Sequence, residues 1–468
     1  MSTIELNTQF RFALDLMEHG SDSLFITGKA GTGKSTLLTY FKKTTKQNIV
    51  ILAPTGVAAV NIGGATIHSF FQFKPDVTME KAWAKGAGAK KAELYRALDI
   101  IVIDEISMVR ADLLDCVDAF MRRVCGTSAP FGGKRVIFFG DLYQLPPVVT
   151  RDDQEIFRTR YESAFFFSAD VISRLPLTYV ELGHIYRQND EAFIAVLNAI
   201  RQNQATESDL ALLNTRVYED YAPPPEEYVI HLTGTNKDAQ AYNTYQLHSL
   251  EGQLHSFKAS STGVFDRRTE PAPRELILKI GAQVMMTSND RERRFINGTV
   301  GRVEDISVVA GSPVVSVRLT NGKLIDVGPN SWEMFKFNYS AKSGRITTEV
   351  AGTYTQLPLM LAWGITIHKS QGKTFERLAI DLPHSFAHGQ TYVALSRVTA
   401  LSELILKRPL TSAHVIMDPI VTTWLTIVLD QSRQNLDQHR IRLNHEYRPS
   451  SYQVVLMLLL VFHDFPFA

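Results

Sequence analysis

Between an apolar run, Ser23-Leu24-Phe25-Ile26-Thr27, and a segment that suits a helix, Thr36-Leu37-Leu38-Thr39-Tyr40-Phe41, stands Gly28-Lys29-Ala30-Gly31-Thr32-Gly33-Lys34-Ser35. This G-x-x-x-x-G-K-[ST] pattern constrains the fold more than any other feature, because it has a meaning only as a strand-to-helix turn. Glycines let the backbone curl so that its N–H groups point inward at phosphate oxygens, and the helix N-terminus adds its dipole. Lys34 reaches the outer phosphates and Ser35 holds a magnesium ion. The expected nucleotide cradle is therefore Gly28, Ala30, Gly31, Thr32, Gly33, Lys34, Ser35 and Thr36.

A chain of 468 residues exceeds a single core, so roughly two or three domains are expected. With 45% hydrophobic and 21% charged residues it reads as soluble and globular. The net charge of +1 means that any basic, nucleic-acid-binding surface is local. Two cysteines, Cys116 and Cys125, make neither a disulfide framework nor a zinc site, which favours a reducing, intracellular compartment. Met1 to Gln9 is polar, unlike a secretory signal, and the longest apolar stretch, Val454 to Phe462, is too short to span a bilayer.

Short β-rich runs alternate with helical patterns, which argues for an α/β fold with parallel sheets. Core strands are expected at Asn48 to Ala53, Ile100 to Asp104 and Arg135 to Phe139, with a helix over Ala111 to Val124. Lys74 to Leu98 breaks this rhythm and reads as a small inserted subdomain whose Gly86–Lys91 stretch forms a mobile, basic loop. A second α/β block begins near His184. Pro223-Pro224-Pro225 marks a rigid loop within it. From Gly298 to Thr355 the pattern turns to alternating β with a hairpin signal at Asn321-Gly322, as in a small antiparallel barrel. Helical and strand patterns return from Pro358 to about Val428.

Asp104-Glu105 closes the apolar run Ile100-Ile101-Val102-Ile103, where a phosphate-loop fold places its magnesium-binding acid. Asp104 would hold the ion and Glu105 would act as general base toward the attacking water. Gln144 follows another apolar strand, and its amide both donates and accepts, which suits a sensor of the terminal phosphate. Open α/β sheets bind ligands outside the carboxyl ends of their strands, where all three motifs fall. Arg187 and Arg397 lie in the second block. An arginine supplied across a domain cleft stabilises charge on a transferring phosphate; the plain alternative is a surface ion pair.

Together these residues resemble the Pif (petite integration frequency) family of superfamily-one DNA helicases, close to RecD-type and Dda-type motors. The likeness runs from about Leu6 to Leu406. It rests on GKAGTGKST, on Leu52-Ala53-Pro54-Thr55-Gly56-Val57-Ala58-Ala59, on Thr66-Ile67-His68-Ser69-Phe70-Phe71 and on Asp104-Glu105-Ile106-Ser107-Met108. It rests further on Phe131-Gly132-Gly133 with Gly140-Asp141 and Gln144-Leu145-Pro146-Pro147, on Gly364 to Gly372, and on Tyr392-Val393-Ala394-Leu395-Ser396-Arg397. The resemblance implies ATP- and magnesium-driven 5′→3′ movement on single-stranded DNA with duplex unwinding, in DNA repair, recombination or telomere maintenance.

The fold it implies has two RecA-like parallel-sheet domains, 1–183 and 184–297 with 356–430. A wedge subdomain is inserted at 74–98 and an SH3-like β-barrel at 298–355, and the tail 431–468 has no assigned role. Gln9 would read adenine. DNA contacts would come from Pro54, Thr55, Thr66, His68, Ser69, Phe70, His368, Lys369, Ser370 and Gln371, with aromatic rings stacking on bases and polar groups holding phosphates. Partners are single-stranded DNA and its junctions with duplex, optionally G-quadruplex DNA, and the chain is expected to be a monomer without DNA. Two other readings stay open from the residues: an ATP-driven single-strand DNA translocase or remodelling factor that does not unwind, and a DNA-binding module without hydrolysis. The intact Lys34, Asp104, Glu105, Gln144 and Arg397 argue against the last.

Overall fold

The computed structural model describes residues 7–149, 153–184, 190–224, 226–265, 270–290, 292–382, 387–430 and 432. Its first sheet contains β1 (Ser23–Gly28), β2 (Ile49–Ala53), β3 (Ala65–Thr66), β4 (Ile100–Ile103), β5 (Arg135–Phe139) and β6 (Leu177–Leu182). All are parallel, in the order β3-β2-β4-β5-β1-β6. Their near-continuous apolar character follows from burial on both faces. On one face lie Phe10, Met17, Leu37 and Phe41 from helices α1 (Thr8–His19) and α2 (Lys34–Thr44). On the other lie Phe120, Val117 and Leu114 from the helix Ala111–Cys125. This strand order sorts the chemistry. The ends of β4, β5 and β1 stand side by side, and the ends of β2 and β3 form the adjoining edge.

The second lobe carries a four-stranded parallel sheet, Gly364–Thr366, Ile230–Thr233, Leu378–Ile380 and Leu404–Leu406 in spatial order. Helices Glu191–Arg201 and Gln390–Leu395 cover it through Phe193, Val196 and Leu395. The lobes are fused at the base of the cleft between them. Ala30 and Leu145, both first-lobe loop residues, are buried inside the second lobe's hydrophobic cluster.

The β-rich insertion departs from the expected small barrel. Five antiparallel strands, including Gln283–Met286 and Leu359–Leu361 from outside 298–355, make one sheet over a core of Val303, Val317 and Ile325. The strands Asn330–Ser340 and Arg345–Gln356 instead pair with Ser260–Gly263 in a separate three-stranded sheet. Among the described residues no closed barrel forms. Asn321-Gly322 does make the expected turn, with the Gly322 N–H donating to Leu319 O at 2.9 Å. The long ribbon reaches back to the first lobe, where Phe337 meets Phe70 and Lys91 Nζ donates to Phe337 O at 2.7 Å.

Two further expectations are corrected. Gly86 does not begin a mobile loop. It lies within the helix Met79–Ala87, where an added Cβ would stand 2.9 Å from Phe120 O, so its missing side chain lets that helix pack on Ala111–Cys125. The segment 419–430, read as the end of the second domain, is a helix that packs on the first lobe. Trp424 stacks on Phe167 with centroids 4.8 Å apart and also meets Phe25 and Phe166. Arg187, Pro225, the tail from 433 onward and the apolar stretch 454–462 lie outside the described residues, as does Arg291 of the short basic run it makes with Arg293 and Arg294. No helix among the described residues is long and apolar enough to cross a membrane.

Candidate nucleotide and DNA site

The phosphate loop takes the backbone that its glycines permit. Gly31 and Gly33 have φ of 84° and 86°, the left-handed region that side chains disfavour. At Gly33 an added Cβ would also stand 2.8 Å from the Phe10 ring, so close packing demands glycine twice over. Thr32 Oγ1 donates to Lys29 O at 2.9 Å and ties the loop together. Lys34 folds over it, Nζ donating to Gly28 O at 2.6 Å and Lys29 O at 3.2 Å. Burial pushes the Lys34 ammonium below its usual range, while the nearby Asp141 and Glu105 carboxylates oppose that shift.

Asp104 and Glu105 leave the end of β4 beside this loop. Glu105 has φ of 52°, and its N–H donates to Asp104 Oδ1 at 3.0 Å. A non-glycine residue in that region is strained, and such strain clusters at sites that must aim a side chain. Burial raises both carboxyls above the usual carboxylate range. For Glu105 the Asp104 charge adds to the effect, and Lys34 and Arg397 oppose it. Beyond β5, Gln144 Nε2 donates to Asp141 Oδ2 at 3.2 Å.

The second lobe closes the space from the other side. Lys34, Ser35, Glu105 and Gln144 share the wall of one cleft of about 710 Å³ with Gly372, Thr374, Arg397 and Thr399. Arg397 is 1% exposed, so it is not a surface ion pair. Its Nε donates to Val393 O at 2.7 Å and Nη2 to Ser396 Oγ at 2.6 Å, which fixes the guanidinium against the cleft. The volume and polar lining match a nucleotide-sized ligand held between domains. Gln9, at the start of α1, accepts from the Gly183 N–H through Oε1 at 2.9 Å beyond the end of β6.

The expected DNA residues divide. Thr55 and Thr66 cap short helices at the ends of β2 and β3, accepting from the Ala58 and Ser69 N–H groups. Thr55 and Ser69 are exposed, and Pro54, Thr66 and His68 are half-buried. His368 and Lys369 are exposed at the matching strand end of the second lobe, after Thr366. Exposed polar groups thus stand at strand ends on both lobes, Thr55 and Ser69 on one and His368 and Lys369 on the other. Three others are placed elsewhere. Phe70 is in the core, edge-on to Phe71 and Tyr95 at 5.0 and 5.4 Å, because its short helix turns that face inward. Ser370 is fully buried, with Oγ donating to Ile367 O. Gln371 turns to two residues of the nucleotide cleft's wall, its Nε2 donating to Glu105 Oε2 at 3.0 Å and Gln144 Oε1 at 3.2 Å.

The structure adds site residues that the sequence reading passed over. Phe10 lines the cleft against Gly33. Tyr392, quoted within a motif but given no role, accepts from the Ala30 N–H. Thr235 caps the helix Asn236–Ser249 beside the Thr366 strand end, repeating the first lobe's arrangement. The recurrence of Thr immediately after an apolar strand was the available signal for Thr235.

A family model described as PIF1-like helicase matches residues 6–209. The ATP-dependent DNA helicase Pif1 of Bdellovibrio bacteriovorus is 34% identical over 412 residues, which is 86% of this chain and 87% of that protein. The crystal structure of Bacteroides sp. Pif1 in complex with ADP-AlF4 superposes with a TM-score of 0.84 at 34% identity, covering 92% of this chain and 98% of that one. Bacteroides Pif1 bound to ssDNA superposes at 0.62, again at 34% identity, covering 90% of this chain and 96% of that one. The arrangement of parts here is thus nearer to the former.

Proposed function

The chain belongs to the PIF1-like helicase family of ATP-dependent DNA helicases, and from that premise we propose that it uses ATP to move 5′→3′ on single-stranded DNA and part the duplex ahead. The observation that carries the reading is the shared cleft, to which one lobe contributes Lys34, Glu105 and Gln144 and the other Arg397. A terminal phosphate in that space contacts both lobes, so its presence favours closure and its loss favours reopening. Lobes that grip the strand unequally in the two states step in one direction.

Within the cleft, Glu105 takes a proton from water. Its raised affinity for protons suits a base working near neutral pH. Lys34 and Arg397 supply positive charge where the transferring phosphoryl group spreads its own. Ser35 and Asp104 offer a hydroxyl and a carboxylate, hard oxygen donors that suit magnesium. Bound there, magnesium would neutralise phosphate charge.

The strand lies along Thr55, Ser69, His368 and Lys369, which offer polar contacts without reading bases. The helices around Trp83, a tryptophan 42% exposed, serve as the wedge. The five-stranded sheet and its ribbon stand in the place of the SH3-like element and close over DNA. G-quadruplex DNA remains a further substrate of this reading, and the DNA-free chain works as a monomer. The test compares 5′-tailed and 3′-tailed duplexes with ATP and magnesium. Strand release from the 5′-tailed substrate alone supports the proposal. Release from the 3′-tailed substrate reverses the polarity, and hydrolysis without release removes the unwinding.

A further inference from the structure

Asp141 stands 1% exposed behind the nucleotide cleft. Its Oδ2 accepts from Gln144 Nε2 at 3.2 Å, and its Oδ1 accepts from Arg201 Nη2 at 3.1 Å. Arg201 ends the helix Glu191–Arg201 of the other lobe and is itself 3% exposed. It reaches Glu181 Oε1 at 3.6 Å, and its guanidinium lies 4.1 Å from the Tyr143 ring centroid. All three of these partners belong to the first lobe. A buried charge is tolerated only when paired, so the carboxylate of Asp141 and the cation of Arg201 hold each other in place.

The consequence reaches the terminal-phosphate sensor. An amide can flip, and which end faces a ligand is set by the groups around it. Asp141 engages the Gln144 NH₂ end, which turns Oε1 toward Gln371 Nε2 at 3.2 Å, and the same Gln371 amide donates to Glu105 Oε2. The polar chain thus runs Glu105, Gln371, Gln144, Asp141, Arg201, entering the second lobe at Gln371, returning to the first at Gln144 and crossing again at Arg201. Arg201 is not part of the cleft wall. We propose that Arg201 is a positioning residue for ATP hydrolysis, holding Asp141 from the second lobe so that the Gln144 amide presents a fixed orientation as the lobes close.

The inference rests on ATP hydrolysis in the cleft, and the wild-type protein assayed alongside separates the two. If wild type and Lys34→Ala are equally inactive with ATP, magnesium and single-stranded DNA, the functional reading fails. If wild type is active, the Arg201 variants decide the rest. Arg201→Ala is expected to lower kcat by about 10- to 100-fold with KM changed by less than about twofold, as for a displaced catalytic group rather than a lost binding contact. In a Gln144→Ala background the same change is expected to have no further effect on kcat, because residues acting through one another are not additive.

Arg201→Lys keeps the charge and is expected to recover part of the rate. Should Arg201→Ala not fold, the paired change Asp141→Asn with Arg201→Gln removes both fully buried charges and leaves only the partly exposed Glu181 carboxylate without its cation. It is expected to match the kcat of Gln144→Ala while still binding fluorescent ADP. A wild-type kcat in the paired variant, or an Arg201→Ala penalty undiminished by Gln144→Ala, overturns the proposal.

Discussion

The Tyr392 hydroxyl accepts a hydrogen bond from the Ala30 backbone N–H at 3.1 Å, joining residues 362 apart in sequence across the cleft. A donor of the phosphate loop is therefore satisfied by the opposite lobe. Burial pushes the Tyr392 hydroxyl up to about 12, so it remains protonated at working pH. Its own O–H and the loop amide are thus available to rearrange when a phosphate arrives.

Tyr392→Phe leaves the Ala30 N–H without this partner, at a cost of about 1–3 kcal/mol for a buried, unsatisfied donor. The melting temperature of the nucleotide-free protein should fall. A saturating ATP analogue offers the amide a phosphate oxygen, so the deficit should shrink in its presence. Differential scanning calorimetry with and without analogue measures both. An equal deficit in the two conditions would show that the loop amide does not change partners.

Glu105→Gln keeps the shape of the site and removes the base. ATP binding should persist while kcat falls by about 10²–10⁴. Lys34→Ala should abolish measurable hydrolysis while single-strand binding largely survives, because Lys34 bonds within the phosphate loop and the exposed polar groups stand at other strand ends. Single-turnover kinetics and fluorescence anisotropy separate the two effects. Rapid turnover in Glu105→Gln would move the base to another residue.

Phe70→Ala should act on stability. The ring is buried among Phe71, Tyr95 and Phe337, and truncation should cost about 3–5 kcal/mol in a denaturant titration. The single-strand affinity of the remaining folded protein should stay within a few-fold of wild type. A large affinity loss at unchanged stability would return Phe70 to the DNA surface.

Lys369 is exposed at a strand end of the second lobe. Lys369→Ala should weaken single-strand binding about equally for all sequences. The slope of log affinity against log salt should become shallower by about 0.7, one phosphate contact on a single strand. An unchanged slope would place Lys369 away from the backbone.

His388 links the lobes as a neutral ring. Nε2 meets Leu142 O at 2.6 Å and Nδ1 accepts from the Asp418 N–H at 2.9 Å, so the proton sits on Nε2. Burial lowers its proton affinity in the folded state. The unfolded chain therefore binds the proton more readily. The ring's contribution to stability is complete above the ordinary histidine value of about 6.5 and declines as pH falls below it. Melting curves from pH 8 to 5 should show this decline, and His388→Gln should flatten it. Identical pH slopes would remove His388 from the account.

The parts of the site legible in the sequence are those made by neighbours along the chain. The phosphate loop sits between β1 and α2, as its glycines and flanking runs required, and Asp104 follows β4 directly. Thr55 and Thr66 became helix caps because a hydroxyl three residues ahead of an N–H suffices. Phe70 was less legible. A four-residue helix has no periodicity from which to tell an inward ring from an outward one. Gln371, within the same motif as His368 and Lys369, faces a different ligand site only because the chain turns at Gln371, where ψ changes to 135°.

Local chemistry thus settled which residues end strands, cap helices and curl around phosphate, since those outcomes depend on separations of a few residues. Tertiary structure alone decided what faces what. Gln371 meets Glu105 across 266 positions, and Arg201 meets Asp141 across 60. The helix 419–430 leaves the second lobe to stack Trp424 on the first. An apolar or charged pattern states that a side chain must be covered or paired. It does not name the distant partner, because that choice is made by the packing of whole elements.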